Sequence, residues 1–266
     1  MQDISSTSTL SERTLGPRAI TNYHVITKTV AGLFGGIAGT IVMVITLLLA
    51  SNLFKNGGAQ VATELSQNAS AITRNEINIF ILMAGAFLSS LSGNIMAFLG
   101  FSLFDHEKYT KVVSTIVQIM IVNLLVFVFI MPAYLVISSA KLSNVSFLVG
   151  AHIMLATLLC IFVSEVINNI RHVLVGFYGA MFGILMGIGA ELLMALLPKS
   201  NDQLIAILVL TMLPVTLATM GFFSSIFEMF YGWLYRLYGI DWLGTIVSDD
   251  ELETSLVEEG ETINEE

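Results

Sequence analysis

The chain has 266 residues, of which 55% are hydrophobic and only 12% are charged, and its mean hydropathy is +0.83. Soluble globular domains carry about 25% charged residues, so this composition excludes the ordinary water-soluble classes. It indicates instead that lipid is the solvent for most of the chain.

The formal net charge of −9 is concentrated at the C-terminus. Residues 249–266 contain nine acidic residues and no basic residue, and the remaining chain carries eleven residues of each sign. We expect residues 245–266 to form an acidic disordered tail that serves solvation or spacing, or alternatively binds a basic cytoplasmic partner. Because the sequence has no basic face, nucleic acid is not an expected partner.

Six apolar stretches are long enough to cross a bilayer as helices, which requires about 20 residues each. None alternates with a period of two, which excludes a β-barrel. The sequence therefore predicts an all-α, polytopic integral membrane protein, with a bundle of six transmembrane helices in residues 26–244. Residues 1–25 form a polar N-terminal segment without the apolar core of a signal peptide. The predicted spans lie near residues 30–54, 78–103, 112–138, 146–167, 173–197 and 203–229.

The basic residues that flank these spans predict an N-in/C-in orientation, because cytoplasmic loops are enriched in Lys and Arg. With the N-terminus inside, the inner side holds seven basic residues and the outer side holds four. The inner set is Arg13, Arg18, Lys28, Lys108, Lys111, Arg171 and Arg236, and the outer set is Lys55, Arg74, Lys141 and Lys199. The expected location is a multi-pass position in the membrane, the inner (cytoplasmic) membrane if the cell is prokaryotic.

Glycines recur at four-residue spacing in the first and fifth spans. This spacing places them on one face of a helix, where a second helix approaches closely. We expect these faces to pack within the bundle, or alternatively to dock another subunit or a second copy. The glycines are Gly32, Gly35, Gly36, Gly39, Gly179, Gly183 and Gly187.

Two ionisable residues, His152 and Glu191, fall at membrane depth, where a charged side chain is unfavourable. Each lies about six residues inward from the outer end of its predicted span, a depth of about 9 Å. The fourth and fifth spans are consecutive and are expected to be neighbours, so the two side chains could meet. A pair would respond to protons or cations or contact a substrate, whereas a plain structural hydrogen bond is the alternative.

A second polar layer is expected nearer the inner boundary, where Asn94 and Gln118 could hydrogen-bond across adjacent helices. Around the connection between the fourth and fifth spans, several polar residues are expected to reach solvent. Glu228 is expected at the inner interface, with a structural role. The residues of the connection are Glu165, Asn168, Asn169, Arg171 and His172.

Sequence patterns for catalysis, cofactors or metals are missing. There is no phosphate-binding loop, no HExxH helix and no Cys/His metal spacing, and the single cysteine, Cys160, lies in an apolar run. We therefore expect neither a cofactor nor a metal, and we do not expect an enzyme.

Two functions fit this pattern. The first is a permease or channel-like subunit of unknown substrate, working within a larger assembly with other membrane subunits or with copies of itself. The second is a non-transporting scaffold subunit whose glycine faces and acidic tail bind partner proteins. In both cases the lipid bilayer is the surrounding medium.

Overall fold

The computed structural model describes residues 20–56, 71–106, 108–137, 142–168, 172–194, 196 and 201–239. The predicted acidic tail and most of the predicted N-terminal segment lie outside these residues. Within them the chain is helical apart from short connections. The six helices are α1 (Asn22–Asn56), α2 (Ala71–Phe104), α3 (Val112–Ile137), α4 (Leu142–Asn168), α5 (Val173–Met194) and α6 (Asn201–Tyr238).

All six helices are long and apolar enough to cross a membrane, which confirms the prediction of six apolar helices. Several are longer than the predicted spans: α6, for example, runs to Tyr238, about nine residues beyond the predicted end. Hydropathy marks only the apolar part of a helix, whereas the backbone hydrogen bonds continue into polar residues at its ends. Four aromatic residues beyond the predicted end of the last span consequently belong to α6, namely Tyr231, Trp233, Tyr235 and Tyr238.

Large apolar side chains cover the outside of the helices, and small polar side chains fill much of the inside. On α3, Val113, Phe129 and Val136 are each more than three-quarters exposed. By contrast, Ser90 and Asn123 are fully buried. This distribution suits a bundle whose outer surface contacts lipid chains.

Helix neighbours follow a simple pattern. Helix α1 packs mainly on α2 and α6, α5 packs mainly on α6, and α3 packs on α4 and α2. A hydrophobic core between α2, α3, α4 and α6 includes Phe98, Ile119, Ile153 and Leu217.

Every glycine of the two glycine-rich faces lies against a helix of the same chain. On α1, Gly32 and Gly36 lie on the backbone of α6, and Gly35 and Gly39 lie on the backbone of α2. A Cβ atom added at Gly36 would collide with the backbone of Pro214.

On α5, a Cβ at Gly179 or Gly183 would lie 2.6 Å from the Cα of Ser224 or of Met220. A Cβ at Gly187 would lie 3.0 Å from the hydroxyl oxygen of Thr219. Both glycine faces therefore let α6 approach its neighbours at backbone distance, α1 on one side and α5 on the other.

Candidate functional site

A cluster of charged side chains is buried at one end of the bundle. We call Lys28, Lys108, Tyr109, Glu165 and Glu228 the charge network. Lys28 lies in the second turn of α1, Glu165 in the last turn of α4, and Glu228 ten residues before the end of α6. The connection between α2 and α3 contributes Lys108 and Tyr109. Since consecutive helices alternate in direction, these four chain segments reach the same end of the bundle.

Lys108 is the centre of the charge network. Its ammonium nitrogen donates to Glu165 Oε1 at 2.7 Å and to Glu228 Oε1 at 2.6 Å. The second oxygen of Glu228 accepts a longer hydrogen bond, of 3.3 Å, from Lys28 Nζ. The carboxylate of Glu228 thus bridges two ammonium groups, and one ammonium group bridges two carboxylates.

Tyr109 connects the charges to the aromatic core. Its hydroxyl donates to Glu165 Oε1 at 3.4 Å, and its ring centroid lies 5.3 Å from Lys108 Nζ and 5.6 Å from Lys28 Nζ. The rings of Phe98 and Phe101 flank it at centroid distances of 5.6 and 6.1 Å. These contacts fix the phenol between the two lysines and add cation–π attraction.

Local backbone geometry explains why Lys108 points inward. After α2 ends, the amides of Lys108 and Tyr109 both donate to the carbonyl of Asp105, at 3.2 and 3.1 Å. This turn buries Lys108 and leaves Lys111, three residues later, exposed. On the opposite side, a Cβ at Gly221 would lie 2.5 Å from the carbonyl oxygen of Lys28, so the absence of a side chain there lets α1 and α6 come close enough for Lys28 to reach Glu228.

The charges are almost completely removed from solvent. Lys28 and Glu165 are each 2% exposed, Lys108 is 6% exposed and Glu228 is 8% exposed. Burial lowers the pKa of Lys108, but the carboxylates of Glu165 and Glu228 together raise it more, and the net pKa is well above its ordinary value. Burial also holds the pKa of Tyr109 well above its ordinary value, so both groups stay protonated at neutral pH.

A cavity of about 20 Å³ lies beside the charge network, between it and the apolar core. This volume is enough for about one water molecule. Its polar lining comes from Lys28, Tyr109, Ser164, Glu165 and Ser224. The second carboxylate oxygen of Glu165, Oε2, has no hydrogen-bond partner among the described residues. It lies against Gly176 of α5, where an added Cβ would be only 2.7 Å from it.

The structure places the two predicted intramembrane residues with different partners. His152 is fully buried, and its Nδ1 lies 3.3 Å from the hydroxyl oxygen of Tyr134 on α3. Glu191 accepts a hydrogen bond of 3.0 Å from Thr211 on α6. No hydrogen bond or ion pair joins His152 to Glu191 within the described part of the chain. His152 on α4 faces α3, whereas Glu191 on α5 faces α6. Their similar predicted depth in the membrane does not show which neighbouring helix each side chain faces.

The predicted polar layer also has a different composition. Asn94 is buried, but its amide nitrogen has no partner among the described residues, and Gln118 lies on the exposed face of α3. Asn123, one and a half turns further along α3, holds the polar contact instead. Its oxygen accepts from Ser90 at 3.0 Å, and its nitrogen donates to Cys160 Sγ at 3.0 Å.

The expectation that Glu165 reaches solvent is wrong, and Glu228 is buried too. The sequence did carry a signal: two lysines and two glutamates fall at predicted inner ends, so their charges balance. The same lysines also mark the inner side of the membrane, and that role alone does not predict ion pairing. Within the described residues, no group of three or more His, Cys, Asp or Glu side chains is arranged to hold a metal ion.

Comparisons with protein-family models, with characterised proteins and with solved structures give no match to this chain.

Proposed function

We propose that this protein is an integral membrane permease or channel-like subunit, with its charge network closing the inner end of the bundle in the described conformation. The proposal includes an N-in/C-in orientation, which places the network at the cytoplasmic end. It also includes assembly with other membrane subunits or with copies of the chain. No catalytic reaction forms part of it.

The observation that carries this proposal is the burial of four ionisable side chains where α1, α4, α6 and the α2–α3 connection meet. Buried ion pairs stabilise a fold little, since apolar residues of similar volume often do as well or better. Ionisable residues at membrane depth commonly mark the path of a solute or ion. Their position at one end, next to a small cavity that Lys28 and Glu165 help to line, suits a closed gate better than a structural brace.

The alternative function, a scaffold subunit, depends on free glycine faces and on the acidic tail. The seven glycines already contact helices of the same chain, so they present no open face to a partner. The acidic tail is then the feature that still supports a scaffold function. Deleting residues 249–266 and comparing the proteins that co-purify tests this function, and an unchanged set of partners argues against it.

The permease proposal is tested by flux through liposomes that contain the full-length protein. The probes are K⁺, Na⁺, Cl⁻ and H⁺, each followed with an ion-selective electrode or an enclosed pH dye. We expect flux of at least one probe above that of empty liposomes. Lys108→Gln should raise this flux several-fold, because an uncharged amide cannot hold both carboxylates.

Lys111→Gln is the matched control, since it removes the same charge from the same connection at an exposed position. It should leave the flux at the wild-type level. If Lys108→Gln does not yield folded protein, Lys28→Gln is the second variant, expected to act in the same direction. The absence of flux for all four ions in the folded wild type and in the folded variants would overturn the proposal.

A further inference from the structure

The six helices divide into two units that differ in how they are packed. The first unit, which we call the glycine-packed block, consists of α1, α2, α5 and α6. Its helices touch through backbone atoms: α1 meets α6 at Gly32 and Gly36, α1 meets α2 at Gly35, and α5 meets α6 at Gly183. Backbone contacts of this kind leave little room for one helix to slide past another.

The second unit, which we call the α3–α4 pair, is held together by side-chain hydrogen bonds along its whole length. At the outer end, the Tyr134 hydroxyl contacts His152 at 3.3 Å. In the middle, Asn123 donates to Cys160 at 3.0 Å. At the inner end, the Asn168 amide donates to the Thr115 hydroxyl at 3.0 Å. Three bonds at three depths make the two helices one unit.

Where a glycine of one unit faces the other unit, at Gly150 and Gly176, the contact is made by a side chain. The glycine of α4 that faces α6, Gly150, meets only the flexible end of Met212, since an added Cβ would lie 3.0 Å from its terminal methyl carbon. Aromatic rings provide further contacts, such as Phe87 with Phe127 at a centroid distance of 4.9 Å. Side-chain contacts can rearrange between rotamers, whereas interlocked backbones cannot.

Polar contacts between the α3–α4 pair and the block include one in the middle of the bundle and one at its inner end. One is the bond from Ser90 on α2 to Asn123 in the middle of the bundle. The other is in the charge network, where Lys108 is anchored on the block by Glu228 of α6 and reaches Glu165 of α4 at 2.7 Å. This second contact is charge-assisted and therefore stronger.

We propose that the α3–α4 pair moves as a unit against the glycine-packed block, with the Lys108–Glu165 ion pair as the latch that holds it closed at the inner end. The latch deepens the proposed function and rests on it for its role in gating. When the α3–α4 pair moves away from the block, Glu165 separates from Lys108. The cavity between the charge network and the apolar core then widens. Residues Ile161 and Ser164 of α4 already line that cavity.

The native Cys160 reports this motion without engineering, because it is the only cysteine of the chain. It lies on α4, five residues before Glu165, and is 3% exposed. Although it bonds to Asn123 within the pair, it also belongs to the core cluster that includes Phe98 of α2 and Leu217 of α6, so movement of the pair away from the block uncovers it. The experiment measures how fast a small, water-soluble, cationic methanethiosulfonate reagent modifies Cys160 in the full-length protein in mild detergent. In the closed state the reaction should be slow.

We expect Glu165→Gln to increase the modification rate about tenfold, because an uncharged amide holds Lys108 less firmly and the open state becomes more populated. Glu191→Gln is the matched control: it also neutralises a buried glutamate, but one whose hydrogen bond to Thr211 lies inside the block. It should leave the rate unchanged. Should Glu165→Gln not fold, Glu165→Asp keeps the charge, shortens the side chain and should also raise the rate.

An unchanged rate in a folded Glu165 variant, or an equal increase in Glu191→Gln, would overturn the latch. Ion flux is measured separately on the same proteins. Faster modification without any flux supports the latch and contradicts the permease proposal. Flux in the wild type with no change in modification rate contradicts the latch alone.

Discussion

Lys108 shows how strongly one residue is tied to its surroundings. Its ammonium group serves two buried carboxylates at 2.6 and 2.7 Å, and Lys28 contributes only a longer bond to one of them. Removing one partner of a buried ion pair typically costs about 3–5 kcal/mol, because the remaining charge stays buried without compensation. The side chain of Lys111 is exposed, and surface substitutions usually change stability by no more than about 0.5 kcal/mol.

We therefore predict that Lys108→Gln lowers the thermal unfolding temperature in detergent by several degrees, whereas Lys111→Gln hardly changes it. The pH dependence follows from the raised pKa of Lys108. A raised folded-state pKa gives a contribution that is fully present below the unfolded pKa of about 10.4 and is lost as pH rises through the higher folded value. The difference in Tm between wild type and Lys108→Gln should therefore stay constant from about pH 7 to about pH 10.

Thermal unfolding followed by tryptophan fluorescence at several pH values in that window checks both expectations. A difference in Tm that shrinks well before pH 10 would contradict the assignment of Lys108 as the doubly paired cation. Equal losses of Tm in the two lysine variants would contradict its special position.

At the scale of a helix, α5 contains glycines that close packing against α6 requires and one glycine, Gly189, that it does not require. Gly183 lies against the backbone of α6 at Met220, whereas an added Cβ at Gly189 meets nothing within 4 Å. The two positions are six residues apart on the same helix. Both positions lie inside the same apolar helix. A difference in stability between the two alanine variants therefore reports the contact of Gly183 with α6.

We predict that Gly183→Ala destabilises the protein by about 1–3 kcal/mol, the usual effect of overpacking, because neither backbone can move aside. Gly189→Ala should be neutral or slightly stabilising, since alanine favours helix by up to about 1 kcal/mol. Thermal unfolding of the two variants in the same detergent checks this. A larger loss for Gly189→Ala than for Gly183→Ala would show that α5 does not pack on α6 through this face.

At the scale of the whole molecule, six helices of alternating direction place Lys28, Lys108, Glu165 and Glu228 at one end. The predicted N-in/C-in orientation makes that end cytoplasmic. The lysines of the network are also two of the seven basic residues on which the orientation is based. The orientation prediction and the network therefore refer to the same end of the bundle.

A single introduced cysteine tests the orientation. Lys111→Cys, in a Cys160→Ala background, places an exposed thiol at the network end. We predict that a membrane-impermeant maleimide labels it in inside-out vesicles and not in intact cells. Labelling of intact cells would reverse the orientation, and the charge network would then lie at the outer end.

How far the sequence predicts the site depends on the range of the interaction. Helix packing through Gly179, Gly183 and Gly187 involves a local spacing of four residues, which the sequence displays directly. Hydropathy alone predicts that His152 and Glu191 lie at membrane depth, but it does not predict their partners Tyr134 and Thr211. A partner is set by the rotation of each helix about its axis, and hydropathy does not report that rotation for helices whose apolar residues surround them on all sides.

The sequence by itself determined six helices that are long and apolar enough to span a membrane, and a neutral body, because the transfer of apolar residues into lipid is local and adds up along each stretch. Only the tertiary structure decided that Lys28 pairs with Glu228, 200 residues away, and that Lys108 pairs with Glu165 and Glu228, 57 and 120 residues away. The physical reason is that ion pairs act over a few ångströms. Which charges come that close depends on how the glycine faces bring α1, α5 and α6 together and on where the α3–α4 pair packs against them.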